Sequence, residues 1–232
     1  MKETTEPKPP PVKKQRLPRT LGAKQFLSKK FNELAFTGMF KDSFGSPEDN
    51  FSMILYGGSG NGKTEAEVVI CKYLSQFGLV YFNSTEQGIS RSLQTAWERN
   101  KMEEVDGNVQ VAHKESYDTM VARLKRKKSA KIVFIDSIQH SGISYEMWKK
   151  LRAMFPKKIF VLISHATGNE PRGAAAYDIK YDVDIKCFVK DFVLYPDGRF
   201  GGGKPFMIYE EGYRKKTARK KGITPKQVKL PV

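Results

Sequence analysis

Gly57-Gly58-Ser59-Gly60-Asn61-Gly62-Lys63-Thr64 matches the phosphate-binding loop pattern G-x-x-x-x-G-K-[ST] at every fixed position. The glycines permit a tight backbone turn that aims N–H groups at an anion. In this pattern the lysine reaches the β- and γ-phosphates, and the threonine hydroxyl ligates Mg²⁺. Residues 57–64 are therefore predicted to bind ATP with Mg²⁺, through Lys63 and Thr64 in particular.

The flanks of this loop supply the context that the motif requires. Residues 51–56 form an apolar run of strand length, and residues 65–77 have helical character. A strand, a glycine-rich loop and a helix in this order place the phosphates at a helix N-terminus, whose positive field favours them.

An alternating pattern of strands and helices follows the loop. The predicted helices lie at 87–101, 116–127 and 144–155, and the predicted strands lie at 79–83, 109–112, 132–135 and 159–163. The strand runs are continuously apolar, as expected when both faces are buried, so an α/β fold with a mostly parallel sheet flanked by helices is predicted. Residues 166–179 are expected to form a loop, and residues 183–195 and 205–209 a C-terminal antiparallel extension.

Composition shifts divide the chain into four predicted segments. These are a disordered, basic, proline-rich tail at 1–19, an N-terminal helix (20–40) with its linker at 20–50, an ATPase domain at 51–212, and a basic tail at 213–232. The helix is expected to pack against the core or a neighbouring subunit.

The net charge of +16 is concentrated at the two ends of the 232-residue chain. Residues 1–30 contain nine lysines and arginines against two acids, and residues 213–232 contain eight against none. The 182 residues between them, with 24 basic and 23 acidic residues, are almost neutral. Basic ends commonly hold a polyanion, so nucleic acid is the predicted partner, and solubilising, unstructured ends are the alternative.

Composition also disfavours other classes of protein. No apolar run approaches the ~20 residues of a membrane span, and the N-terminus has no apolar signal core, so secretion is not expected. Cys71 and Cys187 fit reduced thiols. We therefore expect a cytoplasmic protein with no membrane contact.

Two carboxylates are candidates for the chemistry at the nucleotide. Asp136 follows a strand at the edge where ligands of parallel sheets bind, so it is predicted to hold Mg²⁺ opposite Thr64. Many P-loop ATPases place a catalytic glutamate directly after this aspartate, but here the next residue is Ser137. Glu86, three residues beyond the preceding strand, is therefore the predicted residue that polarises the attacking water.

Residues 50–212 resemble the RecA-type P-loop ATPase core, and more narrowly its RadA/Sms-like and DnaB-like branch. The resemblance rests on the P-loop, on Glu86, and on four further stretches: Phe134-Ile135-Asp136-Ser137-Ile138-Gln139, Ile163-Ser164-His165, Pro171-Arg172-Gly173 and Gly198-Arg199-Phe200-Gly201. It implies ATP-driven work on DNA by rings or filaments with nucleotides between subunits. The compact chain with basic tails suggests a mobile element or a bacteriophage as its source.

The resemblance also implies roles for individual residues. His165 would sense the γ-phosphate, and the loop at 167–180 would contact DNA. Arg199 would act in trans on a neighbour's nucleotide, although Asp197 and Gly198 precede it where the RadA motif has Lys and Asn. Together with the basic C-terminal tail, the loop gives the predicted DNA-binding residues Arg172, Lys180, Lys215, Lys216, Arg219, Lys220 and Lys221.

The sequence thus predicts a DNA-binding ATPase that forms a homo-oligomer, with Lys63, Glu86, Asp136, His165 and Arg199 as its catalytic residues. An ATP-switched adaptor that recruits a protein partner without significant turnover is the main alternative. A small-metabolite kinase is disfavoured because the core has no arginine-rich lid. RNA is a further alternative to DNA as the polyanion, although aromatic stacking signatures for RNA are missing from the sequence.

Overall fold

The computed structural model describes residues 20–230, so the tail predicted at 1–19 lies outside the described residues. The chain separates into two units, Met1–Phe31 and Asn32–Val232. The described part of the first unit contains one short helix, α1 (Ala23–Leu27), and exposes its apolar side chains Leu21, Phe26, Leu27 and Phe31.

The second unit alternates strands and helices. Its strands are β1 (Ser52–Gly57), β2 (Val80–Ser84), β3 (Val109–His113), β4 (Ile132–Asp136), β5 (Ile159–Thr167), β6 (Glu170–Pro171), β7 (Ile185–Lys190), β8 (Val193–Gly198) and β9 (Phe206–Met207). Its helices are α2 (Gly38–Phe44), α3 (Lys63–Leu74), α4 (Arg91–Arg99), α5 (Tyr117–Leu124), α6 (Ile138–Ser141), α7 (Tyr145–Met154), α8 (Ala174–Asp182) and α9 (Glu210–Lys221). Across residues 20–230, no helix combines the length and the apolar character of a membrane span.

One sheet organises these elements in the order β3-β2-β4-β5-β1-β7-β8-β9, with β6 paired to β5 at the side. The neighbours from β3 to β7 are parallel, whereas β8 and β9 are antiparallel, as is β6. The predicted mostly parallel sheet with a C-terminal antiparallel extension is confirmed. The carboxyl ends of β1, β2, β4 and β5 consequently meet at one edge of the sheet.

Buried side chains cover both faces of the sheet. Along β1, Met53 and Leu55 join a core cluster with residues of α2, α3 and α4, whereas Ile54 and Tyr56 join a second cluster with residues of α5, α7 and α8. This alternation explains why the strands are continuously apolar in sequence, because each successive residue is buried on one face or the other.

The helix predicted over residues 20–40 is wrong, because only α1 and α2 are helical there and the segment between them is largely extended. The apolar residues at helical spacing have another purpose. Phe36 inserts its ring between Phe51 and Tyr73, with ring centroids 6.2 and 5.1 Å away. The packing of this aromatic cluster therefore overrides the local periodicity.

Two other predicted segments differ from the structure. The loop expected at 166–179 is wrong, because it contains a hairpin formed by β5 and β6 and most of α8. The single strand expected at 183–195 is also wrong, because Asp191 and Phe192 turn the chain between β7 and β8. Both have positive φ angles, 51° and 62°, which tight hairpins require and which the sequence Asp-Phe does not signal.

Candidate nucleotide-binding site

The P-loop connects β1 to α3 and is shaped by two left-handed residues. Gly60 has φ of 66°, and Gly62, the residue before the first turn of α3, has φ of 95°. Residues with a Cβ rarely adopt these angles, so the glycines are needed for the turn itself. The loop consequently presents backbone N–H groups at the N-terminus of a helix, where anions are stabilised.

Lys63 and Thr64 begin α3, as the motif predicts. Lys63 Nζ donates to the Gly58 carbonyl over 3.4 Å, so its ammonium folds back over the loop. The Thr64 hydroxyl accepts a hydrogen bond of 3.1 Å from Gln87 Nε2, whose own Oε1 is buried without a partner among the described residues. Gln87 therefore contacts the predicted Mg²⁺ ligand.

Asp136 ends β4 with only 3% of its surface exposed. Burial raises the pKa of this carboxyl to about 7, and the Glu86 charge acts in the same direction, while Lys63 and a Ser84 hydrogen bond oppose the rise. A divalent cation beside the carboxylate would remove this penalty. Asp136, the Thr64 hydroxyl and the unpartnered Gln87 oxygen thus form an all-oxygen set that fits Mg²⁺.

Glu67 is a further acid at the site that the sequence reasoning missed. It lies one turn beyond Lys63 in α3, is 1% exposed, and leaves Oε2 without a hydrogen-bond partner among the described residues. Burial raises its pKa well above the usual value, with Asp136 and Glu86 adding to the rise and Lys63 opposing it. Its position between the apolar neighbours Ala66 and Val68 was the available signal.

Glu86 is held beside the end of β4 by its backbone. Its N–H donates to the Asp136 carbonyl over 2.8 Å, and the neighbouring Thr85 hydroxyl donates to the same oxygen over 2.8 Å. The Glu86 side chain is 28% exposed and places Oε2 3.1 Å from His165 Nε2. The structure therefore brings Glu86 and His165 together at the sheet edge, with the carboxylate open to solvent.

His165 is linked to two other segments through Gln139. Its backbone N–H donates to Gln139 Oε1 over 3.2 Å, and Gln139 Nε2 donates to the Ser164 hydroxyl and to the Arg172 carbonyl. Burial lowers the pKa of His165, and the charges of Lys63 and Arg172 act in the same direction against Glu86. The imidazole is thereby favoured in its neutral form.

The C-terminal basic segment packs on the P-loop, which the sequence reasoning did not anticipate. Lys216 Nζ, on α9, donates to the Gly60 carbonyl over 2.8 Å and to Asn61 Oδ1 over 2.5 Å. Asn61 also accepts from the backbone N–H groups of Asp191 and Phe192, at 3.0 and 2.9 Å.

Asp191 secures this contact from the β7–β8 turn. Its carboxylate pairs with Lys216 at 3.2 Å and with Lys220 at 2.7 Å. Partial burial works to raise the pKa of Asp191, but hydrogen bonds from Lys220 and Lys216 outweigh it and lower the pKa. The segment predicted as a tail at 213–232 is therefore helical over most of its first half and fixed to the nucleotide loop.

Arg199 lies away from the other predicted catalytic residues. It follows β8, whose Gly198 pairs with Ile185 at the start of β7, and its guanidinium lies 3.4 Å from Asp184. Asp184 in turn accepts from the backbone N–H of Ser52, at the start of β1. Since the P-loop follows the end of β1, Arg199 lies about 17 Å from it, the length of the strand.

The predicted DNA-binding residues differ in how accessible they are. Lys180 on α8 pairs with Glu170 at 2.6 Å, lies over the Tyr56 ring, and has a side chain only 15% exposed. Lys215 pairs with Glu211, and Lys216 and Lys220 pair with Asp191. Those that are exposed, with no ion pair among the described residues, are Arg172, Arg219 and Lys221.

Comparison with known proteins supports the fold. No protein-family description and no curated protein sequence matches the chain. A KaiC-like protein from the hyperthermophilic archaeon Pyrococcus horikoshii OT3 has a similar structure, with a TM-score of 0.55 over 77% of this chain and 94% of its own, at 17% identity. A second solved structure, the ATPase domain of a DnaB-like protein, gives a TM-score of 0.47 over 66% of this chain and 78% of its own, at 14% identity. The sheet topology and the first likeness together show that the chain has a RecA-like P-loop fold.

Proposed function

We propose that this chain is a Mg²⁺-dependent ATPase of the RecA type that binds DNA and acts in recombination, replication or repair. The observation that supports hydrolysis best is the convergence of Lys63, Asp136 and Glu86 at one edge of the sheet, within electrostatic range of one another. A P-loop lysine, a buried strand-end aspartate and an accessible glutamate are the groups that phosphoryl transfer to water requires.

Each residue has a separate part in this reaction. The P-loop N–H groups and Lys63 hold the β- and γ-phosphates and neutralise the charge that grows on them. Thr64 and Asp136 hold Mg²⁺, which supplies further charge neutralisation when it is bound. Glu86 orients the attacking water for in-line attack and accepts its proton.

His165 supports Glu86 and extends the site outward. It contacts the Glu86 carboxylate, and Gln139 connects its backbone to the hairpin that carries Arg172. A change at the γ-phosphate can therefore reach an exposed cation through two hydrogen bonds. This path supports a role for His165 as a sensor that couples nucleotide state to grip on DNA.

The test of hydrolysis is ATP turnover by the full chain with and without single- and double-stranded DNA, with Lys63→Ala as the blank. We expect turnover that DNA stimulates and that Lys63→Ala abolishes. Glu86→Gln should lower turnover by about 10²- to 10⁴-fold, the usual contribution of a general base, while ATP still binds. Turnover that survives Glu86→Gln would refute the assignment of the base.

DNA binding and self-assembly are the finer parts of the proposal. The exposed cations Arg172, Arg219 and Lys221 support phosphate contacts. Arg199 is exposed and remote from the P-loop of its own chain, which is consistent with a role at a neighbour's nucleotide in a ring or filament. The exposed apolar side chains of residues 21–31 offer a surface for such an assembly. The two free, buried cysteines suit the reducing cytoplasm.

An ATP-switched adaptor is the second candidate, and the contact between α9 and the P-loop favours it. A basic helix attached to the nucleotide loop can transmit the presence of ATP to a partner without turnover. An adaptor of this kind would retain partner recruitment in Glu86→Gln and lose it in Lys63→Ala, whereas a motor would lose its activity in both.

A further inference from the structure

Glu86, His140 and His165 bring three metal-ligating groups together from separate elements. Glu86 follows β2, His140 lies in α6, and His165 lies in β5. Glu86 Oε2 is 3.1 Å from His165 Nε2 and 3.8 Å from His140 Nδ1, and all three ligand atoms lie within 4.8 Å of one another. Atoms about 3.0–3.4 Å apart can share one ion with bonds near 2.1 Å, so modest rotation of His140 completes the geometry.

We propose that Glu86, His140 and His165 bind a divalent first-row transition-metal ion, with Zn²⁺ as the occupant that imidazole and carboxylate ligands favour. Two imidazole nitrogens and one carboxylate, with open positions facing solvent, form a donor set suited to Zn²⁺ and Fe²⁺. Mg²⁺ prefers oxygen ligands alone, so it belongs with Thr64 and Asp136 instead.

The surroundings leave room for this ion. His140 is 47% exposed on its side chain, and its ring centroid lies 5.7 Å from that of His165 at an angle of 64°. Its Nδ1 shares a 2.9 Å hydrogen bond with the Ser137 hydroxyl, which the metal would have to replace. Because a hydroxyl can turn to solvent at little cost, this bond guides the ring without preventing ligation.

The consequence for turnover rests on the proposed function. Glu86 is the proposed base for water, and a carboxylate bound to Zn²⁺ is a poorer base because the ion withdraws its electron density. Occupancy of the site would therefore stop hydrolysis while ATP and Mg²⁺ stay bound at the P-loop. The site would make the ATPase sensitive to free Zn²⁺.

Binding can be tested without reference to activity. The full chain, without a histidine tag, is titrated with Co²⁺ in the absence of nucleotide, and visible absorption is recorded. The chain has only three histidines, and both cysteines are buried, so few other ligands compete. We expect one Co²⁺ per chain, displaced by Zn²⁺, and a loss of affinity of at least about 10-fold in His140→Ala.

His113→Asn is the matched control, because His113 accepts a hydrogen bond from the Ile89 N–H and lies outside the cluster. Its Co²⁺ affinity should equal that of the unmodified chain. Equal affinity in His140→Ala and the unmodified chain, or no visible Co²⁺ band in the folded protein, would overturn the proposal. Circular dichroism confirms that each variant is folded.

A second measurement adds the functional consequence. With Mg²⁺ and ATP at saturation, micromolar Zn²⁺ should inhibit turnover in the unmodified chain and in His113→Asn but not in His140→Ala. Inhibition that His140→Ala leaves unchanged would overturn the regulatory part. Should the protein have no turnover, the Co²⁺ titration alone still decides whether the site exists.

Discussion

Single residues at the sheet edge show an imbalance between acid and base. Glu67, Glu86 and Asp136 lie within electrostatic range of one lysine, Lys63. Burial of two of these acids adds a desolvation penalty that the lysine alone does not offset, as the raised pKa values show. A nucleotide-bound divalent cation is the group that would balance this charge.

The end of β2, from which Glu86 follows, is braced by a residue whose charge is stabilised. The Asn83 side chain exchanges two hydrogen bonds with the Glu115 backbone, at 2.9 and 3.0 Å. A hydrogen bond from Arg123 lowers the pKa of Glu115 against the effect of burial, with the Tyr81 hydroxyl and the charge of Arg126 assisting.

Arg123→Ala should therefore destabilise the protein in a pH-dependent way. A depressed carboxyl pKa adds stability above the unfolded value, and this stability is lost as pH falls through the folded value. Because Arg123 is partly exposed, we expect a loss of about 1 kcal/mol at pH 7 that shrinks below about pH 4. Urea unfolding at both pH values measures it, with Lys125→Ala as the control. A loss that is equal at both pH values would contradict the ionic origin.

At the level of elements, the β7–β8 turn fixes the shape of the P-loop. The Phe192 ring occupies the space beside Gly62, where a Cβ would lie 2.5 Å from Phe192 Cδ1. At Gly60 a Cβ would meet nothing within 4 Å, although the backbone is also left-handed there. The two glycines thus separate the strain of the backbone from the contact with the turn.

Gly62→Ala should lower the free energy of unfolding more than Gly60→Ala does. Both variants carry the cost of a left-handed alanine, about 1–2 kcal/mol, and Gly62→Ala adds an overpacking cost of about 1–3 kcal/mol. Denaturant unfolding without nucleotide compares them. Combining Gly62→Ala with Phe192→Ala should remove most of the difference, and equal losses in the two single variants would show that the ring does not constrain the loop.

The helix α9 separates basic residues with different tasks. Lys216 contacts the P-loop, whereas Lys215, on the exposed side, pairs only with Glu211. Lys216→Ala should weaken ATP binding by about 5- to 10-fold, since it removes two hydrogen bonds of about 1 kcal/mol each that hold the loop, part of which the nucleotide restores. Lys215→Ala should leave ATP affinity unchanged. Equilibrium titration with a fluorescent ATP analogue measures both, and equal affinities would refute the anchoring role.

The whole molecule carries its excess charge on few free side chains. Several cations of residues 213–232 are already paired with acids on α9 or on the β7–β8 turn. Those that are exposed, without an ion pair among the described residues, are Arg219, Lys221, Lys226 and Lys229. The net charge therefore overstates the surface available to a polyanion.

DNA affinity should accordingly fall with salt with a moderate slope. With about four or five phosphate contacts, log affinity against log salt should have a slope of about −4 for duplex DNA. Arg219→Ala should reduce the slope by about 0.9, whereas Lys180→Ala, whose parent side chain is mostly buried, should not. Fluorescence anisotropy at several salt concentrations measures the slope, and a slope near zero would exclude electrostatic DNA binding.

Local sequence patterns predicted the features that depend on neighbouring residues. The P-loop, the parallel strands and the buried Asp136 each follow from a short stretch, and the structure places them as expected. The contacts of Lys216 with Asn61, 155 residues away in the chain, have no local signal. Glu67 was also missed, because helical periodicity does not distinguish an apolar core position from a buried acid.

The attachment of Asn61 to the β7–β8 turn and to α9 has a thermodynamic consequence for ligand binding. A glycine-rich loop that is free in the unliganded state loses conformational entropy when it closes on phosphates. Here Gly60 and Asn61 are already hydrogen-bonded to three other residues before any ligand arrives. The ordering cost is met during folding, so more of the contact energy with the phosphates remains as affinity.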